Sequence, residues 1–229
     1  MGISADITGV QTMNRKDDQQ FRYFADVKYR GALDPVVQAY SAPKMDFILR
    51  TISPPQDSTI LDLGCGNGVF THLWTRISDS VVGLDFSRHL LSQNPYGRPV
   101  CGDVSHLPFP DGSFDVVFEA NLLHHVPDRE SAVAAMKRVS RKYVVFVEPN
   151  CLNPVMFLFS LAVPAERGGL RSSLKALRAL AERSGLNCLA AMSCGMISQN
   201  NTPSFLVPLL RRFDREIWWG EYIVLIAEK

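Results

Sequence analysis

Residues 60–68 read Ile-Leu-Asp-Leu-Gly-Cys-Gly-Asn-Gly. A short apolar run carries one carboxylate, and glycines follow at 64, 66 and 68. Apolar residues at helical spacing come next, from Val69 to Ile77. This order predicts a buried strand over Thr59–Leu63, a tight turn and a helix start. A chain that reverses so sharply needs positive φ and no Cβ. The helix behind the turn presents unpaired N–H groups to whatever lies over it. Alone, such a turn serves equally as an ordinary strand-to-helix junction. The remainder of the chain decides between that and a ligand site.

Downstream, strands alternate with helices. Strands are expected at Ser80–Leu84, Pro99–Cys101, Phe114–Glu119 and Tyr143–Val147, with helices at 69–77, 87–93 and 129–139 between them. Solid apolar strands joined by helical crossovers make a parallel sheet covered on both faces. Right-handed crossovers then give a doubly wound, Rossmann-like sheet. Leu186–Met192 and Glu221–Ala227 supply two more strands, making seven, the last antiparallel. An amphipathic helix marked by Leu170, Leu174, Leu177 and Leu180 precedes them. Upstream, Gln20 to Thr51 has helical spacing, with a start at Asp34-Pro35 and a second helix from about Ala42. The expected organisation is one domain over 1–229: an N-terminal helical cap (1–51), a ligand-binding half (52–150), and a substrate-side insert with closing strands (151–229).

Composition narrows the partners. A net charge of +1 argues against nucleic acid or a charged membrane as the bulk partner. No Asn-Pro-Pro-Tyr-type run follows the fourth strand. No apolar stretch reaches the length of a membrane span. Cys65, Cys101, Cys151, Cys188 and Cys194 form no metal spacing and read as reduced thiols, so a cytoplasmic protein, monomeric or homodimeric, is expected.

In an open parallel sheet, ligands bind beyond the carboxyl ends of the strands. Asp62 and the glycines, Asp85, Asp103, then Glu119 with Asn121, His124 and His125, and finally Glu148 all fall there. Asp85 ends the second strand, where a carboxylate can accept both hydroxyls of a ribose. A dinucleotide fingerprint needs its third glycine one residue later than Gly68. It also has no use for Asp62, which would repel a pyrophosphate and suits an ammonium-bearing ligand.

These stretches resemble the class I S-adenosylmethionine-dependent methyltransferases. Residues 60–68 look like their first motif, Val82-Gly-Leu-Asp-Phe-Ser87 like their second, and Cys101–Phe118 like the third-strand, loop and fourth-strand block. Leu122-Leu-His-His-Val-Pro-Asp128 is similar to the motif after strand four in the small-molecule branch that includes quinone and sugar O-methyltransferases. The resemblance implies S-adenosyl-L-methionine as cofactor. The backbone of Gly64, Cys65, Gly66, Asn67 and Gly68, with Asp62, would take its methionyl part. Asp85 would bind the ribose, Phe86 and Ser87 would border the adenine, and Asp103 and Val104 would meet the adenine amino group. Asn121 and Leu122 would line the side near the sulfonium. Family members usually carry Leu-x-Pro-Gly-Gly before strand five. Arg138–Tyr143 stands there instead, at the opposite end of the sheet from the site.

Methyl transfer to a hydroxyl is assisted by a base, and histidine suits that task near neutral pH. His125 or His124, oriented by Glu148, is the expected catalytic arrangement. No further ligand is spaced to make a metal site of it. Tyr23, Tyr29 and Tyr40 from the cap, and Met156 and Phe157 from the apolar segment 155–163, are candidate substrate contacts for a small, apolar acceptor. Natural-product O-methylation is the leading expectation. Carbon or nitrogen methylation of a quinone-like acceptor is the alternative, as is a cofactor-binding cyclase that does not methylate.

Overall fold

The structure, a computed structural model, describes residues 28–229. Tyr23, and the apolar spacing before Lys28, lie outside the described residues. Seven strands form one sheet: β1 Thr59–Leu63, β2 Ser80–Asp85, β3 Arg98–Cys101, β4 Phe114–Ala120, β5 Ser140–Pro149, β6 Asn187–Cys194 and β7 Tyr222–Glu228. Their order is β3-β2-β1-β4-β5-β7-β6, and only β7 runs antiparallel to its neighbours. This is the expected doubly wound sheet with a reversed last strand.

Side chains alternate between faces along each strand, and two cores result. One face buries Ile60, Val116, Phe118, Val145 and Val147 against helices α1 (Pro35–Ile52) and α2 (Val69–Trp74). The other buries Leu61, Leu63, Val117, Val144 and Phe146 against α4 (Arg129–Val139) and α6 (Leu174–Arg183). The short α3 (Arg88–Leu91) links β2 to β3.

The expected pair of helices before β1 is a single helix, α1. Asp34 caps it by accepting from the Val36 amide at 2.8 Å, and Pro35 opens it. Pro43 lies inside and removes one rung of the ladder. The helix continues because Val36, Val37 and Tyr40 before the proline and Met45 and Ile48 after it join one buried cluster. A break would unseat one group or the other.

Helix α4 runs straight into β5 at Ser140, which explains why no Pro-Gly turn is needed there. Beyond β5, Asn153 caps α5 (Pro154–Ala162) by accepting from the amides of Val155 and Met156 at 2.9 and 3.0 Å. A 3₁₀ turn over Pro164–Arg171 follows. The amphipathic helix expected from Leu170 therefore begins only at Leu174, capped by Ser173. The short helix α7 (Val207–Leu210) precedes β7. Among the described residues no helix is long and apolar enough to cross a membrane.

Candidate active site

The glycine turn is pinned to β2 by bonds from the Gly64 and Cys65 amides to the Leu84 carbonyl, at 2.7 and 3.2 Å. Gly64, Gly66 and Gly68 all have positive φ, at 67, 51 and 90°. Their surroundings differ. A Cβ on Gly68 would collide with the Asn94 side chain, so this glycine serves helix packing and does not line the cleft. A Cβ on Gly66 would meet nothing within 4 Å. The backbone there is open to a ligand.

Asp85 ends β2, and its carboxylate accepts from the Gly66 and Ser87 amides, both at 2.8 Å. The same side chain thus shapes the turn and faces the cleft. Burial pushes its carboxyl above the ordinary range. Asp62 lies one strand over, accepting from the Thr71 hydroxyl at 2.6 Å. Burial, eased by that bond and reinforced by Asp85, raises its carboxyl to about 7. Ser87 is buried and caps α3. Phe86 is 43% exposed and borders the cleft.

Asp103 lies outside the cleft lining. It is exposed and caps its own 3₁₀ turn through the Ser105 amide at 2.8 Å. Val104 is buried in the core beneath.

On the far side of the turn, Asn121 adopts a left-handed backbone with φ 56°. Its amide nitrogen bonds the Val147 carbonyl, and its side chain donates to the Tyr40 hydroxyl at 2.8 Å. Tyr40 does not reach the cleft as expected from the cap. It is fully buried in the core, packed edge-on to Phe70 and Tyr222, and it anchors Asn121 from behind. Tyr29, Leu122 and Met156 do line the cleft. Phe157 does not: it lies on the exposed side of α5, and Phe159 lines the cavity in its place. A helix turns about 100° per residue, so two positions along α5 exchange inside for outside.

His124 and His125 occupy a 3₁₀ turn after β4, with ring centroids 3.9 Å apart. Glu148 lies behind them, buried at the end of β5. Both of its carboxylate oxygens are 3.1 Å from His124 Nδ1, and one also accepts from the Leu123 amide. His124 Nε2 is 3.3 Å from Glu166. Burial works against an imidazolium at His124, but Glu148 and then Glu166 overcome it and hold its pKa at about 10. His125 differs. Burial, and then the neighbouring His124 cation, press its pKa down to about 3. Its Nδ1 is 3.2 Å from the Ala165 carbonyl and its Nε2 is 4.0 Å from Glu166. Two adjacent histidines are therefore held in opposite protonation states. Glu119, buried beside Glu148, is driven well above the carboxylate range by burial and by that neighbour's charge.

Glu166 is the residue that sequence reasoning passed over. It belongs to the 3₁₀ turn 164–171, with no regular period to announce it, and lies 42 positions after His124. Gly168 permits the approach: a Cβ there would collide with the His124 carbonyl. With both histidines, Glu166 brings ligand-type atoms within 4.8 Å of one another. Ser198–Asn201 was missed for the same reason. That loop lines the cleft and is tied down by Arg30, which donates to the carbonyls of Gln199 and Thr202. The Arg30 carbonyl in turn accepts from Asn67 at 3.0 Å, joining the loop to the glycine turn.

The open backbone above Gly66, the buried carboxylate of Asp85 and the half-exposed ring of Phe86 suit a nucleoside-bearing ligand. With the sheet order, they are the features that the resemblance to class I S-adenosylmethionine-dependent methyltransferases implies. Residues 61–147 match the family described as "Methyltransferase domain". An uncharacterized chloroplastic methyltransferase of Arabidopsis thaliana is 33% identical over 137 residues, 52% of this chain and 39% of its own length. The chain thus spans well under two thirds of that relative. A demethylmenaquinone methyltransferase of Renibacterium salmoninarum is 26% identical over 182 residues, covering 77% of this chain and 74% of its own. Among solved structures, a methyltransferase of Thermotoga maritima described as a possible histamine N-methyltransferase superposes with a TM-score of 0.65. It is 15% identical, over 93% of this chain and 95% of its own.

Proposed function

We propose that this chain methylates a hydroxyl group on a small apolar molecule, as a cytoplasmic enzyme of natural-product metabolism, monomeric or homodimeric. One observation carries the reading. A single cleft joins the Gly66–Asp85 half, suited to the cofactor, to a buried His125–His124–Glu148–Glu166 network.

When bound, S-adenosyl-L-methionine supplies an electrophilic methyl group. Asp85 would hold the ribose, Phe86 and Ser87 would border the adenine, and Asp103 with Val104 would meet its amino group from the end of β3. The 64–67 backbone and Asp62 would take the methionyl end, with Asn121 and Leu122 beside the reacting centre. The protein's main task is then alignment in a dry space.

His125 is the acceptor-facing base in this reading. It lines the cleft with a neutral ring, but burial and the His124 cation disfavour its imidazolium, so taking a proton there needs a compensating charge. Glu166, close to Nε2, favours the protonated ring once formed. His124 is better placed as a fixed cation, its ring clamped between Glu148 and Glu166. Tyr29, Met156 and Phe159 would contact the acceptor. The demethylmenaquinone relative favours a second reading, methylation of a quinone-like ring carbon. There His125 would matter less.

The test is a binding titration with S-adenosylhomocysteine and with NAD, followed by an assay for S-adenosylhomocysteine release with phenolic, aliphatic-alcohol and quinol acceptors. S-adenosylhomocysteine binding and turnover on a hydroxyl are expected. Binding of NAD alone would sink the assignment, and turnover on ring carbon only would replace it with the second reading.

A further inference from the structure

Helix α5 has two apolar faces. Met156 and Phe159 line the cleft, while Val155, Leu158 and Leu161, with Leu152 just before, are each more than half exposed. From Pro154 to Ala162 the helix carries no charged residue. Contiguous exposed apolar surface of this kind marks an interaction site. Trp218, 74% exposed, stands beside the start of the helix, where Asn150 and Asn153 donate to the Trp218 and Trp219 carbonyls. Tryptophan prefers a boundary that is apolar on one side and wet on the other.

The turn next to this face adds exposed positive charge. The 3₁₀ turn packed on α5 contributes Glu166, Arg167 and Arg171. Glu166 lines the cleft, whereas Arg167 and Arg171 are exposed. An apolar stripe with an interfacial tryptophan and an arginine rim complements a surface with acyl chains below and anionic headgroups above.

We infer that the outer face of α5 docks on an anionic phospholipid surface, so that an apolar acceptor enters the cleft past the inner face of the same helix. The inference rests on the proposed apolar acceptor and extends it to where that acceptor resides. One helix 9 residues long then separates the lipid from the site.

The test is co-sedimentation of the full-length protein with vesicles of phosphatidylcholine alone and of phosphatidylcholine mixed with phosphatidylglycerol. Binding to the mixed vesicles is expected, falling as salt is raised. Arg167→Gln and Arg171→Gln should each weaken it about fivefold. The double variant Leu158→Glu/Leu161→Glu should abolish it while S-adenosylhomocysteine affinity and melting temperature hold. Absence of vesicle binding overturns the inference, as does binding unaffected by the α5 variants. So does a concentration-dependent dimer in sedimentation velocity that Leu158→Glu dissociates, which would assign the face to a second copy of the chain. S-adenosylhomocysteine binding is scored separately, so loss of the docking claim leaves the methyl-transfer reading standing.

Discussion

The Tyr40 hydroxyl accepts a 2.8 Å hydrogen bond from the side chain of Asn121, and through it a helix outside the matched domain holds a residue of the cleft. Asn121 needs that support, because its left-handed backbone is uncommon for a residue other than glycine. Tyr40→Phe removes only the acceptor. It should cost about 1 kcal/mol of stability, read from denaturant melts, since the half-buried amide loses its partner. S-adenosylhomocysteine affinity should fall as well. An unchanged affinity would confine Tyr40 to the core.

Asp85→Ala should do two kinds of damage. The Gly66 and Ser87 amides lose their shared acceptor, and a ribose loses its partner. Cofactor affinity should drop by about 2–3 kcal/mol in isothermal titration. Wild-type affinity would remove Asp85 from the proposed cofactor site.

Substitutions in the histidine pair should separate chemistry from structure. His125→Ala should lower turnover by roughly 10²–10⁴-fold with cofactor affinity retained. Glu148→Gln should lower turnover too, but it also strips a buried cation of its partner and should cost about 3–5 kcal/mol in stability. Wild-type rates in both would end the acid–base proposal.

The pair should also leave opposite marks on stability against pH. His125 has a folded pKa of about 3, below its ordinary value of 6.5. The unfolded chain therefore binds the proton first, and stability is lost as pH falls from 6.5 toward 3. His124, raised to about 10, contributes stability that is complete below 6.5 and fades as pH rises toward 10. Melts of wild type and His125→Gln should diverge below pH 6.5 by about 1.4 kcal/mol per unit. Parallel curves would contradict the neutral assignment.

The cluster formed with Glu166 makes chelation informative. In the proton-transfer reading, prolonged dialysis against EDTA leaves turnover unchanged. Loss of activity that zinc or another divalent cation restores would instead make the His124–His125–Glu166 group a metal centre.

The sheet was legible because its strands are apolar runs and their ends carry the carboxylates. Five of the seven lie within one residue of the expected bounds at both ends. The misjudged stretches share a cause. The break expected near Ala42 treated Pro43 as a local stop, whereas packing on both sides carries α1 through it. Tyr40 and Phe157 were candidate contacts by residue type, but burial direction is set by which face of a helix meets the sheet. Asp62, Asp85 and the histidine pair could be located from strand ends. Glu166 and Ser198–Asn201 could not, because long-range folding, with no sequence period, brings them to the cleft.

The end of β5 divides the cleft along the chain. Residues 62–125 supply one wall, and all lie within the matched segment 61–147; Pro149, α5, Glu166 and Tyr222 supply most of the other, beyond its end. In the proposed reading the cofactor half is set before the end of β5, while most of the acceptor wall and Glu166, one of the two carboxylates that hold His124, come after it. A chimera joined at the end of β5 should therefore keep S-adenosylhomocysteine affinity while its acceptor range and turnover change together.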